Sequence, residues 1–134
     1  MTPKIDPKIF KKHKVKLAYL FGSQAKGNVA PESDFDIAVL FEKTPVDELA
    51  LKETAFLSLD LSKFFPAALD IVSLNNAPSL LKYEAIRYGK PLYRKTEKER
   101  VNFEVTTINE YIDDQFMRDI YTQAMIKRID KGVF

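Results

Sequence analysis

The sequence contains no cysteine. That excludes disulfides, a thiolate zinc site and a cysteine nucleophile. It has a single histidine, His13, which stands apart from other candidate ligands and reads as a surface residue rather than a base or metal ligand. Charge of one sign is also scarce. A formal net charge of +2 carries no overall signature of nucleic-acid binding, though local patches stay open. No apolar run is long enough to span a bilayer. Met1-Thr2-Pro3-Lys4 leads into a polar, basic segment rather than the apolar core of a signal peptide. The expectation is a soluble cytoplasmic protein with neither a membrane nor a nucleic acid as partner. A Gly-rich loop ending in Lys-Ser or Lys-Thr is missing too, which excludes a P-loop.

What is there fits a single domain over residues 1–134, long enough to bury a core. Lys4, Lys8, Lys11, Lys12, Lys14 and Lys16 crowd the first segment, read as a short solvated helix and its lead-in. Val15 to Phe21 and Phe35 to Phe41 are apolar runs of strand length. The connector between them lacks room for a crossover helix, which predicts antiparallel neighbours. Thr44 as cap and Pro45 at the first position predict a helix to about Phe64, with Pro66 just beyond. Apolar residues surround much of that helix, implying deep burial or a partner surface. Ala68 to Leu74 reads as a third strand, and Pro78 to Tyr88 as a helix ended by Gly89. Pro91 to Tyr93 reads as a short edge strand. Thr96 and Glu99 suit a capping box. Beyond them Val101, Val105, Ile108, Ile112, Phe116, Ile120 and Ala124 recur at steps of three or four. They predict a long amphipathic helix whose stripe faces either the core or a partner. The fold class is α/β: a small mixed β-sheet flanked by helices, with a core over about 15–93 and a helical extension over about 96–131.

The chemistry concentrates in one constellation. Gly22-Ser23 follows the first strand, and after ten residues Asp34-Phe35-Asp36 opens the second. Side chains two apart on a strand share a face, roughly 7 Å between α-carbons. Asp34 and Asp36 are therefore aimed at one region, and their repulsion is relieved by a divalent cation. Asp70 lies among apolar residues in the third strand. It either marks an exposed edge, pairs with a lysine, or joins the other two carboxylates at a metal site, where two ions roughly 4 Å apart can be shared. Glycine permits close backbone approach, and Ser23 offers a hydroxyl and a helix-start amide, together suited to phosphate. Lys26 is either an exposed loop lysine or a further phosphate contact. Lys82, Arg87 and Arg94 are candidate neutralising cations whose orientation the sequence does not fix.

Gly22-Ser23, the ten-residue spacing, Asp34-Phe35-Asp36, Asp70 and the run Leu69 to Pro78 resemble the minimal nucleotidyltransferases of the DNA polymerase beta superfamily. The resemblance implies transfer of a nucleoside monophosphate from a nucleoside triphosphate, with AMP from ATP expected. It implies Asp34, Asp36 and Asp70 as catalytic metal ligands for two Mg2+ ions, with Mn2+ as a substitute. It implies Gly22, Ser23 and Lys26 at the nucleotide phosphates. Many such proteins are antitoxins that adenylylate a HEPN-type toxin, so a toxin partner is expected, and a homo-oligomer is compatible. Gln24 and Lys26 depart from the arginines frequent in relatives. The chain lacks a large acceptor domain, so the acceptor is expected on a partner or a second copy. Two alternatives stand beside this reading: a non-catalytic antitoxin that masks its partner stoichiometrically, and a metal-dependent glycosyltransferase using the Asp-x-Asp pair.

Overall fold

The computed structural model describes residues 4–21, 35–130 and 132. Its sheet contains β1 (Val15–Phe21), β2 (Phe35–Phe41), β3 (Leu69–Ser73) and β4 (Lys90–Arg94), in the order β3-β2-β1-β4. β1 is antiparallel to both β2 and β4, whereas β2 and β3 are parallel. The first two strands have the predicted bounds and direction. A parallel pair needs a crossover, and the helix α2 (Asp47–Leu61) supplies it between β2 and β3.

Strand alternation sorts the core into two layers. Ile37, Val39 and Phe41 pack with Phe10, Leu57, Leu61 and Phe65 on one face. Ala38 packs with Leu17, Tyr19, Leu74 and Ala85 on the other, joined by Leu40 and Phe103. The first layer belongs to α1 (Pro7–Lys12) and α2, the second to α3 (Ser79–Tyr88) and α4 (Glu97–Asp130). Covering both faces is why β1 and β2 read as near-continuous apolar runs, each with one charged residue near its start.

Helix α1 starts at Asp6, whose carboxylate accepts from the Lys8 N–H at 2.9 Å, with Pro7 in the first turn. It buries Phe10, which stacks on Tyr93 with ring centroids 4.9 Å apart. The predicted start of α2 is corrected. The helix opens at Asp47 behind an extended Val46, with no side-chain cap. Thr44 instead meets Asn75, whose amide exchanges hydrogen bonds with Phe41 at 2.9 and 3.0 Å and so extends the β2 ladder. The helix passes into a 3-10 turn, Ser62–Phe64, as its expected end requires. Of its apolar residues whose side chains are described, only Leu57 and Leu61 are buried; Leu49, Leu51, Phe56 and Leu59 are exposed.

Two helices close the second layer. α3 ends at Gly89, whose φ of −75° is ordinary, so the left-handed geometry usual for a terminating glycine is not used. At the start of α4, Thr96 Oγ1 accepts from the Glu99 N–H at 3.1 Å, while the Glu99 carboxylate turns to Lys16 at 3.4 Å. The capping box is therefore half made. α4 lies antiparallel to α3: Lys82 meets Glu110 at 2.8 Å, Tyr83 stacks on Tyr111 at 3.9 Å, and Ser79 donates to Asp114. The stripe from Val101 to Ile120 does not face the core. It is exposed throughout, from 41% at Ile108 to 65% at Phe116. The packing row is the mixed set Phe103, Thr107 and Tyr111, because α3 offers it a lysine, a tyrosine ring and a serine.

Candidate functional site

The register of the sheet places one row of residues side by side. Phe21 of β1 is the partner of Asp36 in β2, and Asp36 is the partner of Asp70 in β3. Adjacent strands lie about 4.8 Å apart, so Asp36 and Asp70 are immediate neighbours. Both share the parity of Ala38 and Leu40 rather than of Phe35, Ile37 and Leu69, which pack in the other layer. Their carboxylates accordingly belong to the sheet face covered by α3 and α4.

The two neighbours are solvated differently. Asp36 is half-buried on a central strand, and Asp70 is exposed on the edge strand β3. The edge explains how a carboxylate is tolerated among apolar neighbours: it keeps its water. Among the described residues Asp70 forms no lysine pair, so that reading of it is set aside. The exposed-edge reading is what the structure shows, and that edge position is also the position beside Asp36.

Gly22, Ser23 and Lys26, the predicted phosphate contacts, and Asp34, the predicted partner of Asp36, lie outside the described residues. Their described flanks are at the site. Gly22 follows Phe21, a member of the row, and Asp34 precedes Phe35, whose N–H donates to the Ala68 carbonyl at 2.9 Å. The two described carboxylates suit a divalent cation by donor type, being hard oxygens on neighbouring positions of one sheet face. Asp36 and Asp70 would hold such an ion.

The sheet also sorts the candidate cations. Arg94 pairs with β1 at Leu17 and bonds Glu97 at 3.2 Å, four positions along β1 from the row. Lys82 is engaged by Glu110. Arg87 sits in the last turn of α3, over the Tyr88 ring. Lys90, which sequence reasoning passed over, opens β4 opposite Leu20, next to the row's strand position. Only the β1–β4 register identifies it. His13 is corrected from a surface residue to a half-buried one whose side chain is only 8% exposed. Its Nε2 lies 2.6 Å from Asp60 Oδ2, and it fastens the end of α1 to α2 in the layer opposite the carboxylates. The hydrogen bond from His13, then that from Lys12, holds the Asp60 carboxyl below its ordinary range. On the carboxylate side of the sheet, Tyr19 is buried and its hydroxyl is pushed upward in pKa, first by burial and then by the Glu104 charge. It stays protonated and serves the core. A cavity of about 390 Å3 lies at the other end of β2, beside Phe41 and Asn75, under Asn102 and Thr106. It is separate from the carboxylate row.

Known proteins resemble the chain along most of its length. Residues 4–98 match the family described as polymerase beta, nucleotidyltransferase. The protein adenylyltransferase MntA of Shewanella oneidensis is 36% identical over 98 residues, 73% of this chain and 67% of the relative. The protein of the same name from Aphanizomenon flos-aquae is 28% identical over 123 residues, 87% of this chain and 74% of the relative. Among solved structures, a toxin-antitoxin crystal structure with AMP-PNP superposes with a TM-score of 0.70 at 31% identity, covering 89% of this chain and 94% of its own. A tri-AMPylated Shewanella oneidensis HEPN toxin in complex with MNT antitoxin matches with a TM-score of 0.65 at 27% identity, covering 89% and 91%.

Proposed function

This chain belongs to the polymerase beta nucleotidyltransferase family, and from that premise we propose that it moves AMP from ATP to a hydroxyl of a HEPN-type toxin, acting as that toxin's antitoxin. The observation that carries the proposal is the register pairing of Asp36 with Asp70, on one sheet face, beside the strand that runs into Gly22-Ser23. Its relatives, two protein adenylyltransferases and a toxin-antitoxin complex with AMP-PNP, support the substrate and the partner.

Each residue then has a task. Asp34, Asp36 and Asp70 would hold two Mg2+ ions, with Mn2+ as a substitute. When bound, these ions supply stabilisation of charge on the attacking and leaving oxygens. Gly22, Ser23 and Lys26 hold the β- and γ-phosphates and so fix the α-phosphorus in place. The acceptor hydroxyl oxygen bonds to the α-phosphorus as the bond to the bridging oxygen breaks. Pyrophosphate leaves in line. The hydroxyl proton passes to the Asp70 carboxylate and on to water, which the exposure of Asp70 allows. A cytoplasmic setting, where ATP is at hand, belongs to the same proposal.

The test is incubation with ATP labelled at the α-phosphate, Mg2+ and a HEPN-type toxin. Label should pass to the toxin. Asp36→Asn should lower the rate by at least about a thousandfold while the fold is retained, since the ligand acts on charge formed in the transition state. Absence of transfer with every nucleotide and divalent metal, from folded protein, would sink the proposal. The exposed stripe on α4 favours a second contribution, masking of the toxin by binding alone. If substituting Asp34, Asp36 and Asp70 together leaves neutralisation intact, masking suffices. If binding persists and neutralisation is lost, it does not.

A further inference from the structure

We infer that Arg87, in the last turn of α3, binds the β- and γ-phosphates of the nucleotide and neutralises the leaving pyrophosphate. The inference rests on the transfer reading above and adds a residue to that same site.

α3 crosses the sheet on a diagonal. It begins after Leu74, whose N–H donates to the Val39 carbonyl toward the end of β2 away from Asp36. It ends where Gly89 meets Tyr19 and Lys90 pairs with Leu20. Tyr19 lies opposite Ala38, and both are two positions, roughly 7 Å, from the row of Phe21 and Asp36. The last turn of α3 is therefore at the carboxylate end, on the face that holds Asp36 and Asp70. Helix phase sets its sides. Ala85 is buried against the sheet. Lys82 and Tyr88 stand three residues before and after it, so at about 3.6 residues per turn they flank it on opposite sides. Lys82 turns to α4, which crosses the other end of the sheet near Lys16 and Phe41. Tyr88, 45% exposed, is on the flank toward the carboxylate row. The exposed Arg87 sets its guanidinium over the Tyr88 ring, 5.5 Å from the centroid.

α3 and β4 bring two cations to this end, and the register separates them. Lys90 pairs with Leu20, which packs in the layer of α1 and α2, so Lys90 belongs to the opposite face. Arg87 forms no ion pair among the described residues, whereas Lys16, Lys82, Arg94, Lys95 and Arg100 are each held by a glutamate. The order of the row names the phosphates. Asp70, Asp36 and Phe21 follow one another across β3, β2 and β1, and Gly22-Ser23 continues from Phe21. Gly89 sits on β1, so Arg87 stands on the Gly22-Ser23 side of the two aspartates, where the transfer reading puts the β- and γ-phosphates. As the acceptor oxygen bonds to the α-phosphorus, the bond to the bridging oxygen breaks and its electron pair stays on pyrophosphate. Negative charge grows there. A guanidinium meets phosphate oxygens with paired N–H donors. The tyrosine ring beneath fixes its plane and leaves those donors pointing outward. No proton moves to or from Arg87.

The experiment measures binding of ATP, pyrophosphate and AMP, each with Mg2+, to the full chain by calorimetry. Arg87→Ala should weaken ATP and pyrophosphate about tenfold or more and leave AMP unchanged. Arg128→Ala removes the same charge from an exposed position near the end of α4 and should leave all three unchanged. Circular dichroism should show wild-type helix content in both. In transfer to a HEPN-type toxin at saturating ATP, Arg87→Ala should also lower kcat, because the charge it meets grows in the transition state. Wild-type affinity for ATP in Arg87→Ala overturns the inference. So does a loss that AMP shares equally, a loss that pyrophosphate escapes, or an equal loss in Arg128→Ala. An unchanged kcat overturns the leaving-group role. Weakened ATP and pyrophosphate, with no AMP passed by wild type, leaves the phosphate contact standing and removes only the transfer reading. A wild-type chain that binds none of the three overturns both.

Discussion

A methyl group on Gly89 would stand 2.1 Å from the Ala85 carbonyl oxygen and 3.2 Å from Tyr19 Cβ. Space, not backbone freedom, is why glycine ends α3. The sequence shows a helix-ending glycine, but only the packing shows that the reason is first the carbonyl of the helix's own last turn and then the strand beneath. Gly89→Ala should lower stability by roughly 1–3 kcal/mol, seen as a lower urea midpoint at unchanged slope. An unchanged midpoint would mean the helix end opens freely. Asp60 gives a pH signature. Its carboxyl is held low by His13 and then Lys12, so the unfolded chain takes up the proton first as pH falls. The contribution is complete above the ordinary carboxylate value of about 4 and fades as pH drops through the lowered one. The stability gap between wild type and Asp60→Asn should be flat from about pH 6 to 5 and shrink toward pH 3, read from denaturant midpoints. A gap that grows on acidification would contradict the pairing. Neither His13 nor Asp60 advertises the other, because they are far apart in sequence and meet only when α1 docks on α2. Asp36 and Asp70 were legible because a carboxylate inside an apolar strand needs a reason to be there.

Elements were legible in proportion to how evenly their surroundings treat them. β1 and β2 are covered on both faces, so every residue votes the same way and the bounds are plain. α2 is harder. Thr44 and Pro45 carry a sound start signal, but Asn75 reaches across from the end of β3 and engages Thr44, and the helix begins later. Its leucines look alike in sequence and differ in place. Leu57 is fully buried, whereas Leu51 is 76% exposed. Leu57→Ala should cost about 2–5 kcal/mol, and Leu51→Ala about 0.5 kcal/mol or less. Equal losses in thermal or denaturant unfolding would mean that α2 is rotated from the position described. α4 shows the opposite failure. Its strongest apolar periodicity marks an exposed face, and the face that packs is a mixture of Phe103, Thr107, Glu110 and Tyr111, held by particular partners on α3. Periodicity finds a helix and an apolar face; it does not say whether the cover comes from the same chain.

At the scale of the molecule, the parallel pairing of β2 with β3 is the step that brings the two carboxylates together. It carries Asp70 from an otherwise unremarkable strand to the side of Asp36. The crossover through α2 permits that pairing, and the edge position of β3 leaves Asp70 in water. The same topology puts α3 and α4 over the carboxylate face and leaves the long end of α4 beyond it. The fold therefore brings two carboxylates together on one sheet face and leaves an apolar stripe of α4 exposed. The sequence held the carboxylates, their spacing and the stripe; the register and the side of the sheet came from long-range pairing that local pattern does not encode. The most direct measurement is the intact mass of the HEPN-type toxin after incubation with ATP, Mg2+ and either wild-type chain or Asp70→Asn. The account predicts that wild type adds whole adenylyl units to the toxin and that Asp70→Asn, folded and still bound to it, adds none at matched times. Equal modification by the two proteins, or none by wild type, would contradict it.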